Sequence, residues 1–142
     1  MNETIKRFGY PATLIADYAH WTVLLRPQQP TLGSLILAAR SDALAFGDLP
    51  AGAFAELGYV TSVIERSLTR TVDYAKLNYL MLMMVDPHVH FHVIPRYAGS
   101  RSAEGVTVED KGWPKVPVLG EAVALNEAQI AALVGWLKGS WS

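Results

Sequence analysis

The sequence has no cysteine, so disulfide bonds and metal sites built on thiolates are excluded. It also has no long hydrophobic run, because the longest apolar stretch, Tyr79 to Val85, is far too short to cross a bilayer. Neither sign of charge dominates: the formal net charge is −1, which excludes attraction of nucleic acid or anionic membrane by the overall field. Histidine is scarce too, with four in the chain, and three of these stand within one short segment.

The composition is that of an ordinary globular protein with a hydrophobic core, at 142 residues, 51% hydrophobic and 18% charged. We expect one domain over residues 1–142, since we find no internal repeat and no low-complexity segment. The first residues carry no long apolar segment of the signal-peptide kind. We therefore expect a cytoplasmic protein with neither nucleic acid nor membrane as a partner.

The first half predicts strands followed by a helix. Residues 12–27 contain two apolar runs with a polar break near Asp17–His20, and residues 31–40 read as a third strand. From Leu49 to Thr71 the apolar residues recur at steps of three and four, which predicts one long helix with a single buried stripe. That stripe consists of Phe54, Leu57, Val60, Ile64 and Leu68.

The second half predicts a strand pair, a loop and a final helix. Residues 75–85 and 85–97 read as antiparallel strands joined by a tight turn at Asp86–Pro87. Residues 98–120 are rich in glycine, proline and serine and predict a long loop. Asn126 is a good N-cap for a helix whose core stripe is Ile130, Leu133, Val134 and Leu137.

The three clustered histidines alternate with apolar residues in the stretch HVHFHVIPR. Because side chains alternate in a strand, His88, His90 and His92 share one face, and consecutive members lie about 6.6 Å apart. Three hypotheses remain open at this point. The histidines are the polar side of a half-buried strand, or ligands of a zinc ion with His20 as a remote fourth, or a group in which one imidazole is a nucleophile.

The same stretch resembles the signature of the histidine triad family, in which three histidines alternate with apolar residues and two apolar residues follow. Residues 88–94 fill all seven positions. The earlier strands, the proline-containing loop, the long helix and the overall length are also similar to the family's. The resemblance implies an α+β fold, namely an antiparallel sheet of about five strands with the long helix and the C-terminal helix packed on it, and a homodimer whose sheets join.

The resemblance also implies roles for the histidines. His90 would attack the α-phosphorus of a nucleotide and form a covalent nucleotidyl-imidazole that water hydrolyses; His92 would bind phosphate oxygens and help the leaving group; His88 would support the arrangement. No metal or other cofactor is required. For this chemistry the His90 ring must be uncharged, must hydrogen-bond through its other nitrogen, most simply to a backbone carbonyl, and must face an open cleft.

Several positions depart from the family pattern. Where the family has polar groups for ribose and phosphate, this sequence has Leu24, Leu32, Met84 and Val85. Each change replaces a hydrogen-bonding group with an apolar one, which argues against dinucleoside polyphosphates as substrates but leaves the chemistry at His90 in place. The base and the leaving group of the expected nucleotide conjugate are not specified by the sequence. Asn78 and Arg96 are the candidate substrate-binding residues, since both fall on the histidine face if even-numbered residues of the two strands pair. Arg96 also reads as a solvated residue at the strand end.

The sequence therefore predicts a nucleotide hydrolase or transferase of the histidine triad type. Two alternatives stay open: a module of the same fold that binds a nucleotide or small anion without turnover, and a zinc-dependent hydrolase.

Overall fold

The computed structural model describes residues 1–142, which form three α-helices and nine short strands. The helices are α1 (Glu3–Arg7), α2 (Ala51–Thr71) and α3 (Glu127–Lys138). The strands are β1 (Leu14–Asp17), β2 (Trp21–Leu25), β3 (Gln28–Gln29), β4 (Leu35–Ala39), β5 (Lys76–Leu80), β6 (His90–Arg96), β7 (Ser100–Ala103), β8 (Val106–Glu109) and β9 (Val123–Ala124). No helix is long and apolar enough to span a membrane.

Five strands form the main sheet in the order β1-β2-β4-β6-β5, and every neighbouring pair is antiparallel. Strands β2 and β4 are buried along their whole length, as their continuous apolar sequences require. The predicted α+β fold with a five-stranded antiparallel sheet, a long helix and a C-terminal helix is confirmed.

The two long helices cover one face of the sheet. Most residues of the predicted α2 stripe are buried: Val60, Ile64 and Leu68 lie in the core, whereas Phe54 is 41% exposed. Phe54 lies instead beside Phe46, with ring centroids 5.2 Å apart. In α3, the Asn126 side chain accepts a hydrogen bond from Gln129 N at 2.8 Å, which confirms the predicted N-cap.

The opposite face of the sheet carries a smaller apolar cluster. Strand alternation places Leu24 of β2 together with Ile36 and Ala38 of β4 on this face, and Ile5 of α1 covers them. All four are at most 1% exposed. The N-terminal segment therefore packs on the side of the sheet that the long helices leave free.

The connection between β5 and β6 differs from the predicted tight turn at Asp86–Pro87. β5 ends at Leu80 and β6 begins at His90, so residues 81–89 form a longer loop. At its tip Met84 is 84% and Val85 81% exposed. An unbroken apolar run does not show where strand pairing stops, and the prediction extended β5 too far for that reason.

The predicted loop over residues 98–120 is also partly wrong, since β7 and β8 form a hairpin within it. Its turn residues Glu104 and Gly105 both have positive φ, 52° and 76°, as a two-residue hairpin turn of type I′ requires. Val106 and Val108 alternate with polar residues and are buried. That alternation is visible in the sequence but was outweighed by the surrounding glycines and prolines.

Candidate functional site

The histidine strand lies in the interior of the main sheet, between β4 and β5. His90 faces Ala38 and His92 faces Ile36 across the β4–β6 ladder, so both rings lie on the face with the small apolar cluster. Their ring centroids are 5.0 Å apart. His88 precedes the strand and reaches the site from the end of the 81–89 loop.

The His90 ring has the hydrogen bond that a nucleophilic role requires. Its Nδ1–H donates to the backbone carbonyl of His88 at 2.7 Å. A carbonyl can only accept, so the proton is on Nδ1 and the lone pair of the neutral ring is on Nε2. Nε2 lies across the ring from this contact and faces away from His88. The predicted carbonyl partner is therefore present.

His92 has the opposite arrangement because of Arg26. The Arg26 Nε–H donates to His92 Nδ1 at 3.2 Å, which leaves the proton of the neutral imidazole on Nε2. Arg26 is itself anchored, since its Nη1 donates to the carbonyl of Gln28 at 2.7 Å. The pKa of His92 is lowered to about 4, first by burial and then by the positive charge of Arg26. His92 is thus a neutral hydrogen-bond donor at Nε2.

Arg26 was not among the predicted site residues. It follows the last residue of β2 and precedes Pro27, 66 positions from His92. Burial lowers its own pKa as well. No spacing rule connects two residues so far apart, and only the antiparallel pairing of β2, β4 and β6 brings the end of β2 near His92.

His88 is held by the N-terminal helix rather than by the other histidines. The Thr4 hydroxyl accepts a hydrogen bond from His88 N at 3.2 Å and lies 2.9 Å from His88 Nδ1. Thr4 is buried and His88 half-buried. This pair fixes the backbone at His88, and thereby the carbonyl that accepts the hydrogen bond from His90 Nδ1–H.

A cavity of about 170 Å³ opens beside the two strand histidines. It is lined by Leu82, Met83, Met84, Val85, Asp86, His90 and His92. The expected open cleft is not present, since His90 is only 2% and His92 only 7% exposed. The ring of Phe8 packs on both, with centroids 5.4 Å from His90 and 6.0 Å from His92.

The outer wall of this cavity is held by surface contacts. Arg7 Nη1 donates to the carbonyl of Val85 at 3.3 Å and to Asp86 Oδ1 at 3.1 Å. The Arg7 side chain is 59% exposed, and such ion pairs contribute about 0.2–1 kcal/mol. The tip of the loop beside the histidine cavity is therefore weakly fastened, whereas its end at His88 is held by Thr4.

The structure places Asn78 and Arg96 on the histidine face, but in a different cavity. The register pairs Asn78 with Ile94, so even-numbered residues match as expected. Arg96 is not solvated: it is 3% exposed, donates to both carboxylate oxygens of Asp110 at 2.8 and 3.0 Å, and donates to Asn78 Oδ1 at 2.9 Å. Neither residue lines the cavity beside His90 and His92.

The apolar replacements are not alike in the structure. Leu24 is fully buried beneath Ile5, and Leu32 is buried in the core on the helical face. Met84 and Val85 instead form the exposed tip over the histidine cavity. Leu24 is thus taken up by the protein's own packing, whereas Met84 and Val85 are not.

No group of three or more histidine, aspartate or glutamate side chains is arranged to hold a metal ion. His20, the suggested remote ligand, lies against Gly52 of α2, and its backbone N–H donates to Glu56. The charge of Arg26 beside His92 further disfavours a cation there.

Comparison with solved structures identifies the fold. A histidine triad protein from Bradyrhizobium japonicum matches with a TM-score of 0.74 and 23% identity over 100% of this chain and 97% of that one. A histidine triad protein from Marinobacter aquaeolei matches with a TM-score of 0.74 and 23% identity, over 96% of this chain and 93% of that one. The diadenosine triphosphate hydrolase of Plasmodium falciparum matches with a TM-score of 0.66 and 10% identity, over 91% of this chain and 76% of that one.

No family model matches the sequence, and no curated protein matches it either. The structural likeness extends over the whole chain, and His90 and His92 lie on the strand where the sequence pattern predicts them. His88 was predicted on the same strand but lies before its first residue. The expected resemblance is confirmed at the level of architecture: the chain has the histidine triad fold.

Proposed function

We propose that the protein transfers a nucleotidyl group through His90, cleaving a nucleoside monophosphate from a phosphate-linked leaving group. The observation that carries this proposal is the opposite tautomers of two adjacent rings. His90 presents a lone pair at Nε2, fixed by the His88 carbonyl, and His92 presents an N–H at Nε2, fixed by Arg26. A nucleophile and a hydrogen-bond donor thus stand side by side, with centroids 5.0 Å apart.

The chemistry proceeds in two steps. His90 Nε2 attacks phosphorus, a P–N bond forms, and the bond to the leaving group breaks with its electron pair going to that group, which takes a proton from solvent. The His90 ring keeps its proton on Nδ1, and the phosphoryl oxygens balance its new positive charge. Water then attacks phosphorus, the P–N bond breaks, and His90 recovers its lone pair while water releases a proton.

His92 acts in this scheme through a hydrogen bond and not through a proton. A ring with a pKa of about 4 is neutral near pH 7 and has no extra proton to give. Its Nε2–H donates to a phosphoryl oxygen whose charge develops during the attack. The nearby charge of Arg26 strengthens the same stabilisation, since the site is shielded from water.

The size of the histidine cavity supports a phosphoryl group at this position. The cavity volume of about 170 Å³ is several times the roughly 30 Å³ that one molecule occupies in liquid water. It is smaller than the roughly 300 Å³ of the smallest typical ligand pockets. A nucleotide conjugate therefore places its reacting phosphorus here and its remaining parts elsewhere. A structural neighbour that is a diadenosine triphosphate hydrolase supports phosphorus chemistry on this fold.

Access to His90 requires the 81–89 loop to move, since the ring is 2% exposed. The loop tip is solvated and its contact with Arg7 is a surface ion pair, so moving the tip while Thr4 holds His88 costs little free energy.

A binding role without turnover is the second candidate. The closed cavity and the fully buried Leu24 favour it, because both reduce room for a nucleotide in the position that the family uses. In that case the two histidines and Arg26 recognise a phosphoryl group and no covalent intermediate forms.

Hydrolysis of adenosine 5′-phosphoramidate by the purified protein separates the two candidates. We expect turnover in the wild type and at least a hundredfold loss in His90→Asn, since an amide cannot form the P–N bond. Intact-mass spectrometry of His92→Ala after brief exposure to the same compound should detect a nucleotidyl adduct on the chain.

His20→Asn is the matched control, because it removes a histidine outside the cavity. It should retain wild-type turnover. Turnover that survives His90→Asn would disprove the nucleophilic role. Binding of adenosine monophosphate by a wild type that shows neither turnover nor adduct would establish the second candidate instead.

A further inference from the structure

The largest cavity of the molecule, about 540 Å³, lies along β5 on the histidine face, and neither strand histidine lines it. We name it the β5 cavity; it is lined by Lys76, Leu77, Asn78, Tyr79, Leu80, Arg96, Trp113, Pro114, Lys115, Val116 and Pro117. Its volume falls within the roughly 300–1,000 Å³ of small-molecule sites. The histidine cavity is too small for a nucleotide conjugate, and the β5 cavity is large enough for a substantial part of one.

Strand pairing connects the two cavities. Leu80, which lines the β5 cavity, is the cross-strand partner of His92. From this pair the cavity continues past Asn78 to Lys76, each about 6.6 Å further along β5. A substrate group bonded to phosphorus at the histidines therefore reaches the β5 cavity by following one strand.

The order of the residues on the histidine face leads to the same place. His90 Nε2 faces away from His88, and in-line attack puts the leaving group on the far side of phosphorus from His90. The next residues of β6 on this face are His92, Ile94 and Arg96, in that order. A leaving group that departs past His92 along this face therefore reaches the end of the strand where the β5 cavity lies.

The charges of the β5 cavity favour an anion. Lys76 and Lys115 are exposed, and neither belongs to any of the four ion pairs of the structure. The third cation, Arg96, is neutralised by Asp110. Two uncompensated ammonium groups remain at the cavity, although the whole chain has a net charge of −1.

The outer wall of the cavity is apolar and structurally defined. Trp113 and Pro114 belong to a turn in which Lys115 N donates to the carbonyl of Gly112 at 2.7 Å. A Cβ on Gly112 would lie 2.2 Å from the Val116 carbonyl oxygen and 3.3 Å from Arg96 Nη2, so only glycine allows this turn to close over β6. The half-buried Trp113 offers an indole surface on which a flat ring can stack.

We infer that the β5 cavity binds the leaving group and selects leaving groups that carry both an aromatic ring and a negative charge. Trp113 contacts the ring, and Lys76 and Lys115 attract the charge. This inference rests on the proposed function, because it assigns a specificity site to the reaction at His90.

Two matched substrates test it: the adenosine 5′-phosphoramidates of aniline and of sulfanilic acid, whose leaving groups share a ring and differ in a sulfonate. We expect the wild type to have the lower KM for the sulfanilate conjugate. The preference is the ratio of kcat/KM for the sulfanilate conjugate to kcat/KM for the anilide. In the double variant Lys76→Ala/Lys115→Ala this ratio should be about five- to tenfold smaller than in the wild type, the size expected for two solvent-exposed charges. Trp113→Leu should raise KM for both conjugates while kcat stays within about twofold.

Lys111→Ala is the control, because it removes an exposed lysine of the same segment that does not line the cavity. It should keep the wild-type preference, and thermal melting should show that each variant is folded. If both conjugates are hydrolysed through His90 and the double variant keeps the preference, the leaving-group site is disproved while the proposed function stands. If His90→Asn leaves hydrolysis unchanged, the proposed function fails, and this inference fails with it.

Discussion

Two hydrogen bonds make neighbouring histidines chemically different. His90 donates a hydrogen bond from Nδ1–H to the backbone carbonyl of His88, so the lone pair on its other nitrogen is free to act as a nucleophile. His92 accepts a hydrogen bond at Nδ1 from Arg26, so its other nitrogen carries the ring proton and is a donor. Identical side chains two residues apart acquire different roles because the Nδ1 atom of each has a different hydrogen-bond partner.

Removal of Arg26 should change the state of His92. In Arg26→Met, Nδ1 loses its donor and the nearby positive charge disappears, so the ring should populate both tautomers. Its pKa should rise from about 4 yet stay below 6.5, because burial remains the larger cause of the shift. Nitrogen-15 NMR of the imidazole across a pH titration measures both changes.

Arg40→Met is the control for that experiment, since Arg40 pairs with Asp17 at the surface, away from the histidines. It should leave the His92 signals unchanged. Unchanged His92 signals in Arg26→Met would show that the protein interior fixes this ring without Arg26.

The low pKa of His92 should make stability depend on pH. The unfolded chain binds this proton near pH 6.5 and the folded one only near pH 4, so His92 favours the unfolded state as pH falls through that interval. Above about pH 6.5 His92 should not affect the free energy of unfolding. Between that pH and pH 4 its contribution should lower the free energy of unfolding by about 3 kcal/mol. Urea titrations of the wild type and His92→Asn measure the difference, and parallel pH profiles would contradict it.

At the scale of elements, β6 serves the site at one end and the scaffold at the other. Its first half carries His90 and His92, and its last residue, Arg96, is joined to Asp110 beyond β8. Asp110 also accepts a hydrogen bond from Tyr97 N at 3.2 Å. This buried ion pair fastens the β7–β8 hairpin and the segment that bears Trp113 to the end of the histidine strand.

Breaking that pair should be costly. In Asp110→Ala the Arg96 guanidinium stays buried without its carboxylate, and we expect a loss of about 3–5 kcal/mol in the free energy of unfolding. Asp17→Ala breaks the surface pair with Arg40, whose side chains are 34% and 40% exposed, and should cost less than about 1 kcal/mol. Equal losses in urea denaturation would contradict the assignment of the Arg96 pair as a buried structural contact.

At the scale of the whole molecule, the sheet has one covered face, one partly covered face and two edges. The long helices cover one face, the N-terminal segment covers part of the other, and β1 and β5 are the edge strands. An edge strand presents backbone groups that can pair with another chain. We propose that two copies join their sheets through one of these edges to form the expected homodimer; pairing through β5 would place the β5 cavity at the subunit interface.

Light scattering should then give twice the 15.5 kDa of one chain. Hydrogen exchange of the dimer should show slow outward-facing amides on the edge strand that pairs, and fast ones on the other. A mass of 15.5 kDa at all protein concentrations would disprove the homodimer.

The sequence by itself determined the elements and the chemistry that they carry. Alternation placed His90 and His92 on one face, apolar periodicity specified α2, and Asn126 specified the start of α3. These signals are local, because each depends on residues within a few positions of one another. For the same reason the sequence overextended β5 and missed the β7–β8 hairpin, where local signals compete.

Only the tertiary structure decided the state of those histidines and the space around them. The contact of Arg26 with His92, the roof that Phe8 forms over both rings, the neutralisation of Arg96 by Asp110 and the separate β5 cavity all join residues from different elements. Such contacts depend on how strands are ordered and how helices cover them. Nothing in the spacing of residues along the chain encodes that order, and it becomes visible only when the sheet is assembled.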